Sequence, residues 1–152
     1  MKKLRIGING AGRIGRAFLK IAEKRDELEV VAINDLGNID NIAYLLKYDT
    51  AYGRSGLDVK VSEDKKTLVI DGREVKFLSE KDPSLLPWKD LDIDVAVEST
   101  GFFTAFEKAR MHVTAGAKKV LISAPAGKEV DATIVYGVND HVLQAGDRKS
   151  VV

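Results

Sequence analysis

Between Leu4 and Asp35 the chain reads LRIGINGAGRIGRAFLKIAEKRDELEVVAIND, and few folds accommodate that order of residues. An apolar run (Leu4, Ile6, Ile8) meets a glycine-rich turn (Gly7, Gly10, Gly12, Gly15). A helical pattern follows, then a second apolar run from Leu28 to Ile33 that ends in an acid, Asp35. Strand, tight turn, helix, strand and acid in this order make a site for the phosphates and ribose of a dinucleotide.

Gly10-Ala11-Gly12-Arg13-Ile14-Gly15 fits the pattern G-x-G-x-x-G. Gly10 permits the tight turn, Gly12 lets backbone approach a pyrophosphate, and Gly15 lets the helix pack closely. Free amides around Arg13 and Ile14 can then donate to phosphate oxygens, and the helix dipole adds roughly 0.3–1 kcal/mol. Arg13 and Arg16 supply positive charge nearby. The glycines alone also fit a turn that binds nothing; the flanking strand, the helix and Asp35 in register favour the dinucleotide. A carboxylate at Asp35 accepts hydrogen bonds from ribose hydroxyls. A 2′-phosphate beside it would cost up to ~4 kcal/mol at about 4 Å with an effective dielectric near 20. The expected cofactor is therefore NAD and not NADP. The other role open to Asp35 is that of a turn residue before Gly37.

The pattern predicts a strand over Lys3 to Ile8 and a helix over Gly12 to Lys24 with Ile14, Phe18, Ile21 and Ala22 on its apolar face. A second strand covers Leu28 to Asn34, and a short helix carries Ile39, Ile42, Ala43 and Leu46. Asp58 to Val61, Thr67 to Ile70 and Val75 to Leu78 alternate as short strands. Asp71-Gly72 makes a tight hairpin turn between the last two, an antiparallel excursion from the main sheet. Asp94 to Glu98 reads as a strand. Thr104 and Glu107 have capping-box spacing before a helix bearing Phe106, Ala109 and Val113, which Gly116 ends. Lys119 to Ser123 and Ala132 to Tyr136 are the remaining strands, and the tail from Asn139 is weakly patterned. The fold class expected is α/β: a Rossmann-type, doubly wound, mostly parallel sheet with a small antiparallel hairpin insertion.

A length of 152 residues suits one domain, and a net charge of +1 gives no reason to expect nucleic acid as a partner. No run approaches the roughly 18 apolar residues of a membrane span, and Lys2-Lys3 leads straight into a strand, so no membrane partner and a cytoplasmic location are expected. The chain has no cysteine, which excludes disulfides, thiolate zinc sites and a thiol nucleophile.

Several phrases then occur in order: GINGAGRIGR (Gly7 to Arg16), VAINDL (Val31 to Leu36), KYDTAYG (Lys47 to Gly53), EKDPSLLPW (Glu80 to Trp88), ESTGFFT (Glu98 to Thr104), GAKKVLISAPA (Gly116 to Ala126) and VYGVND (Val135 to Asp140). Together they resemble the cofactor-binding part of phosphorylating glyceraldehyde-3-phosphate dehydrogenases. The resemblance implies that Arg13 and Ile14 hold the pyrophosphate and Asp35 the adenosine ribose, with Gly10, Gly12, Asn9 and Asn34 around them. Ser99, Thr100, Gly101 and Phe103 resemble the adenosine-side wall, and Ser123 the residue near the nicotinamide. Lys81 stands where the family has an adenine-side arginine, and a lysine lacks that planar fork. The family implies a homotetramer and a glycolytic oxidoreductase. Its segment with the catalytic cysteine would be expected after Val152. The whole of residues 1–152 is therefore expected to be an NAD-binding domain that lacks its catalytic domain, has no catalytic residues of its own, and binds cofactor without turnover.

The same residues leave open a stand-alone nucleotide-binding module and the N-terminal domain of an erythrose-4-phosphate dehydrogenase. His112 is expected to pack or to lie on a helix surface, His141 to lie in a surface loop, and no metal site is expected. Trp88 is expected to anchor packing at the domain edge. Tyr44, Leu45 and Tyr48 either pack inward or make a subunit contact. Lys65-Lys66 and Lys118-Lys119 are expected to be solvated turns.

Overall fold

A computed structural model describes residues 2–151 except 128, 145 and 148, with the side chains of 149–151 outside the description. Its centre is four parallel strands: β1 (Leu4–Asn9), β2 (Leu28–Asn34), β8 (Val95–Glu98) and β9 (Lys119–Ile122). Among the described residues the sheet has nine strands in the order β10 (Ala132–Thr133), β11 (Lys149–Val151), β9, β8, β1, β2, β7 (Arg73–Leu78), β6 (Thr67–Ile70) and β5 (Val59–Val61). The chain leaves β1 toward β2 on one side and returns to β8 on the other. Such a reversal opens a crevice at the carboxyl ends of the strands, where doubly wound proteins bind ligands.

Both faces of the sheet are covered. On one, Ile6, Ile8, Val30, Ile33 and Val97 pack under α1 (Arg13–Ala22) and α2 (Ile39–Lys47). On the other, Val31, Ala32 and Ala96 pack with Trp88, Ile93 and Ala117. Val31 and Ala32 are consecutive, and they share a face because the β1–β2 register slips between the pairs Ile6↔Val30 and Gly7↔Ala32. Each fully buried aliphatic side chain contributes about 1.5–3 kcal/mol. α3 (Phe106–Thr114) lies against β9 through Ala109, Val120 and Ile122.

The helix over Ile39–Lys47 buries the four expected residues, Ile39, Ile42, Ala43 and Leu46, and Asn38 caps it by accepting from the Asp40 and Asn41 amides. The face of α1 differs from expectation. Gly15, Leu19 and Ala22 are buried, while Ile14 and Ile21 are more than half exposed, and the helix stops at Ala22. The residue nearest the sheet must be small, so the larger isoleucines turn outward. The expected capping box is also absent: Ala105 is the N-cap of α3, with no side-chain cap. Gly116 does follow the end of α3 with φ +108°, and a Cβ there would lie 2.5 Å from Lys89 Cβ.

The antiparallel strands β5 (Val59–Val61), β6 (Thr67–Ile70) and β7 (Arg73–Leu78) do not leave the main sheet. β7 pairs parallel with β2, so they extend its edge, turning through Asp71-Gly72 at φ +48° and +81°. A separate ribbon joins β3 (Tyr48–Asp49) to β4 (Gly53–Arg54). The strand expected over Ala132 to Tyr136 is only β10 (Ala132–Thr133), because the Val135 amide turns to Asn139 Oδ1. The tail supplies β11 (Lys149–Val151), inserted between β9 and β10. Trp88 is fully buried and lies inside the second core, away from any edge. No helix among the described residues is long and apolar enough to cross a membrane.

Candidate functional site

Register brings three polar residues side by side where the central strands end. Asn9 closes β1 and pairs with Asn34 of β2 on one side and Glu98 of β8 on the other. These three end strands whose other buried residues carry no polar side chain, and each is almost wholly buried. Asn34 Nδ2 donates to Asn9 Oδ1 (2.7 Å), and Asn9 Nδ2 donates to Glu98 Oε2 (2.6 Å). Asn34 also holds both backbone groups of Glu80, at 2.8 Å each. Asn9 and Asn34 thus lie beneath the crevice with their side chains turned to one another.

Above this row the chain makes the glycine turn. Gly10 has φ +97°, and a Cβ on it would meet the Thr100 amide at 2.8 Å. A Cβ on Gly15 would stand 2.0 Å from Gly10 O, so α1 closes onto the turn itself. The first helical bond is Arg16 N to Gly12 O at 3.0 Å. That leaves the amides of Gly12, Arg13 and Ile14 outside the helix ladder, with no acidic residue in the first turn and no side-chain cap. All three residues are exposed, and a Cβ on Gly12 would have nothing within 4 Å. Arg16 folds back instead, donating from Nη1 to Ala11 O at 2.8 Å. The result is an open cluster of donors at the positive end of a helix dipole, which suits a phosphate anion.

Asp35 spans the gap from β2 to this turn. Its Oδ2 accepts from the Ala11 amide and its Oδ1 from the Gly37 amide, both at 2.7 Å. The side chain thereby shapes the turn before Gly37, one of the two roles expected of it, and keeps further acceptor lone pairs. The 99–101 loop forms the opposite wall. Ser99 Oγ donates to Gly10 O (2.7 Å), while the Thr100 amide (2.8 Å) and hydroxyl both donate to Glu98 Oε1. Gly101 is exposed with φ +80°, and Phe103 is half-buried while its neighbour Phe102 is exposed. Ser123 donates its hydroxyl to Glu98 O at 3.1 Å, one strand further along, and Lys81 is exposed on the loop after β7.

The partners of Glu98 carry no signal in the spacing of the sequence. Its Oε2 also receives His112 Nε2 at 2.9 Å, and Trp88 Nε1 donates to His112 Nδ1 at 3.0 Å. His112 is therefore an interior residue and not part of a helix surface. Burial pushes the Glu98 carboxyl up, but hydrogen bonds from His112, Thr100 and Asn9 more than offset it and hold it below the ordinary carboxylate value. His141 is exposed, and no group of three or more metal-ligating side chains occurs among the described residues. Tyr44 and Tyr48 face outward with ring centroids 4.9 Å apart. Lys65 pairs with Asp40, and Lys118 with Asp92 and Asp94, at the surface.

The model of the family described as "Glyceraldehyde 3-phosphate dehydrogenase, NAD binding domain" matches residues 4–106. The chain is 50% identical over 147 residues to the plasmid-borne glyceraldehyde-3-phosphate dehydrogenase of Cupriavidus necator, covering 95% of the chain and 43% of that relative. The enzyme of Streptomyces coelicolor is 50% identical over 137 residues, covering 90% of the chain and 40% of the relative. That of Mycoplasma pneumoniae is 46% identical over 147 residues, covering 97% and 43%. The chain thus spans about two fifths of the length of the curated relatives it matches.

Proposed function

The chain belongs to the family of NAD-binding domains of glyceraldehyde 3-phosphate dehydrogenases, NAD-dependent oxidoreductases, and we propose that it binds the cofactor for that reaction without performing the reaction itself. One observation carries the reading: Gly12, Arg13 and Ile14 are exposed residues at a helix start with no side-chain cap, their amides lie outside the helix ladder, and Asp35 and Ser99 tie down the turn that holds them. The open space over Gly12 fits the close approach of a pyrophosphate.

In this proposal the Gly10–Ile14 turn binds the pyrophosphate and Asp35 accepts from the adenosine ribose. Ser99, Thr100, Gly101 and Phe103 form the adenosine wall, Lys81 lies on the adenine side, and Ser123 faces the nicotinamide end. Asn9 and Asn34 belong to the site as its floor. Bound NAD supplies the hydride acceptor; the residues here bind it, orient it and fix its ribose. The full enzyme would oxidise glyceraldehyde 3-phosphate with phosphate to 1,3-bisphosphoglycerate, as a cytoplasmic homotetramer that includes a catalytic domain. Residues 1–152 contain no cysteine to form the thioester, so this domain alone should bind without turnover.

Calorimetry with NAD, NADP and AMP tests the assignment. NAD and AMP should bind, with NADP at least about tenfold weaker because its 2′-phosphate meets Asp35. Equal or tighter binding of NADP would overturn the role of Asp35. Formation of NADH from aldehyde, phosphate and NAD by the isolated chain would overturn the claim of no turnover.

A further inference from the structure

The polar row beneath the crevice continues past Glu98 into the protein, through His112 to Trp88. All three side chains are buried. An indole N–H only donates, so Nδ1 of His112 must accept, and the ring proton then sits on Nε2, directed at Glu98. In the other tautomer a lone pair on Nε2 would face a carboxylate oxygen 2.9 Å away, two acceptors opposed. The carboxylate would have to turn, and the 99–101 loop would turn with it, because the Thr100 amide and hydroxyl both hang on its other oxygen. Trp88 is itself held in place: a Cβ on residue 7 would lie 2.9 Å from its ring, so Gly7, in the middle of β1 and outside the G-x-G-x-x-G pattern, makes room for the indole.

We infer that Trp88, His112 and Glu98 are positioning residues for the nucleotide crevice: Trp88 selects the His112 tautomer, His112 orients the Glu98 carboxylate, and Glu98 sets the Ser99–Gly101 loop against the glycine turn. None of the three reaches the crevice surface, so each acts through the loop. Asn9 completes the coupling, since it gives Glu98 its fourth donor and directly precedes Gly10. The inference rests on the nucleotide reading of that crevice.

The test compares W88F, which keeps an aromatic ring but deletes the donor, with the double variant W88F/H112Q, in which the amide offers Glu98 a donor that cannot tautomerise. In W88F, nitrogen NMR of the His112 ring should show the Nδ1–H form appearing. Exchange of the Thr100 amide should accelerate about tenfold while the Leu68 and Ile70 amides of β6 keep their rates, and NAD should bind about fivefold more weakly. W88F/H112Q should recover NAD affinity to within about twofold of the wild type. Unchanged NAD affinity and Thr100 exchange in W88F, or no recovery in the double variant, would overturn the inference. Should W88F not fold, H112Q decides: affinity within about twofold supports the inference, and a larger loss overturns it. Absence of NAD binding by the wild-type chain would instead overturn the nucleotide reading.

Discussion

The two ends of β1 and β8 carry the same kinds of polar group and use them differently. At the amino ends, the Arg5 amide donates to Asp94 Oδ2 at 2.9 Å, and Lys118 Nζ lies 2.6 Å from Asp94 and 3.0 Å from Asp92. Lys2 joins Asp92 at 3.2 Å, and the side chains of Lys118 and Asp92 are more than half exposed. At the carboxyl ends, Glu98 has no exposed side chain and four donors on its two oxygens. Ion pairs in water are screened and interchangeable, and they hold little in place. A buried carboxylate must keep every donor, so its neighbours share one arrangement. The carboxyl end is therefore where geometry is held, and it is also where the crevice opens.

Removing Glu98 separates the two ends most sharply. Glu98→Ala strands the Asn9 amide, the His112 ring N–H and the Thr100 donors, and breaking a buried pair on one side costs about 3–5 kcal/mol. Against a typical domain stability of about 5–15 kcal/mol, that brings the variant near unfolding. Urea denaturation at neutral pH should show the loss. A cost under about 1 kcal/mol, the range of exposed ion pairs, would put the two ends on equal terms.

Only part of this contrast was legible in the sequence. The central strands were, because apolar runs between turn signals have no other reading at that length. The glycine turn and the place of Asp35 just past β2 were, because both depend on spacing within one strand-helix-strand unit. The face of α1 was not. Apolar periodicity weights large residues, whereas close packing selected Gly15 and left Ile14 and Ile21 outside. Thr104 had capping spacing, but the N-cap is the next residue, Ala105, and the helix starts at Phe106. β11 pairs with strands far away in sequence, and nothing local announces it. The network beneath the crevice was the least visible. His112 and Glu98 are 14 residues apart and Trp88 is 24 from His112, so only the fold shows that they meet. Lone polar residues in such positions read as surface or packing until burial is known.

Acid should expose the contrast next. Burial raises Glu98, but its donors bring it below its usual 4.5, so the folded state holds its proton more weakly than the unfolded state. Its stabilising contribution is complete above that usual value and is lost as pH falls through it toward the lowered one. Asp92, held down by its bonds to Lys118 and Lys2, and Asp94, where the Arg5 amide and Lys118 outweigh burial, have the same sign. Glu23 has the opposite sign: burial outweighs its bond to Arg73 and raises it, so its contribution fades as pH climbs past the usual 4.5. Stability measured from neutral pH downward should fall below about pH 4.5. In E98Q that acid limb should be shallower, because the amide has no proton to take up as the pH falls. About 0.5 M salt should weaken the share from Asp92 and Asp94 and leave the difference between wild type and E98Q in place. An acid limb identical in E98Q would assign the effect to the aspartates held low elsewhere, Asp92 and Asp94 among them, and not to Glu98.

The smallest effect belongs to Lys118→Ala. Lys118 joins Asp92 to Asp94, but Asp92 keeps Lys2 and Asp94 keeps the Arg5 amide. Water reaches the side chain throughout, so neither carboxylate is stranded as the Glu98 partners would be. A small fall in the denaturation midpoint should appear at low ionic strength and vanish at about 0.5 M salt, where screening acts within a few ångströms. NAD affinity should not change, because the length of β8 separates this cluster from the 99–101 loop. A loss of stability that survives salt, or weaker NAD binding, would mean that the amino-end cluster also sets strand position, and that the crevice depends on both ends of the sheet.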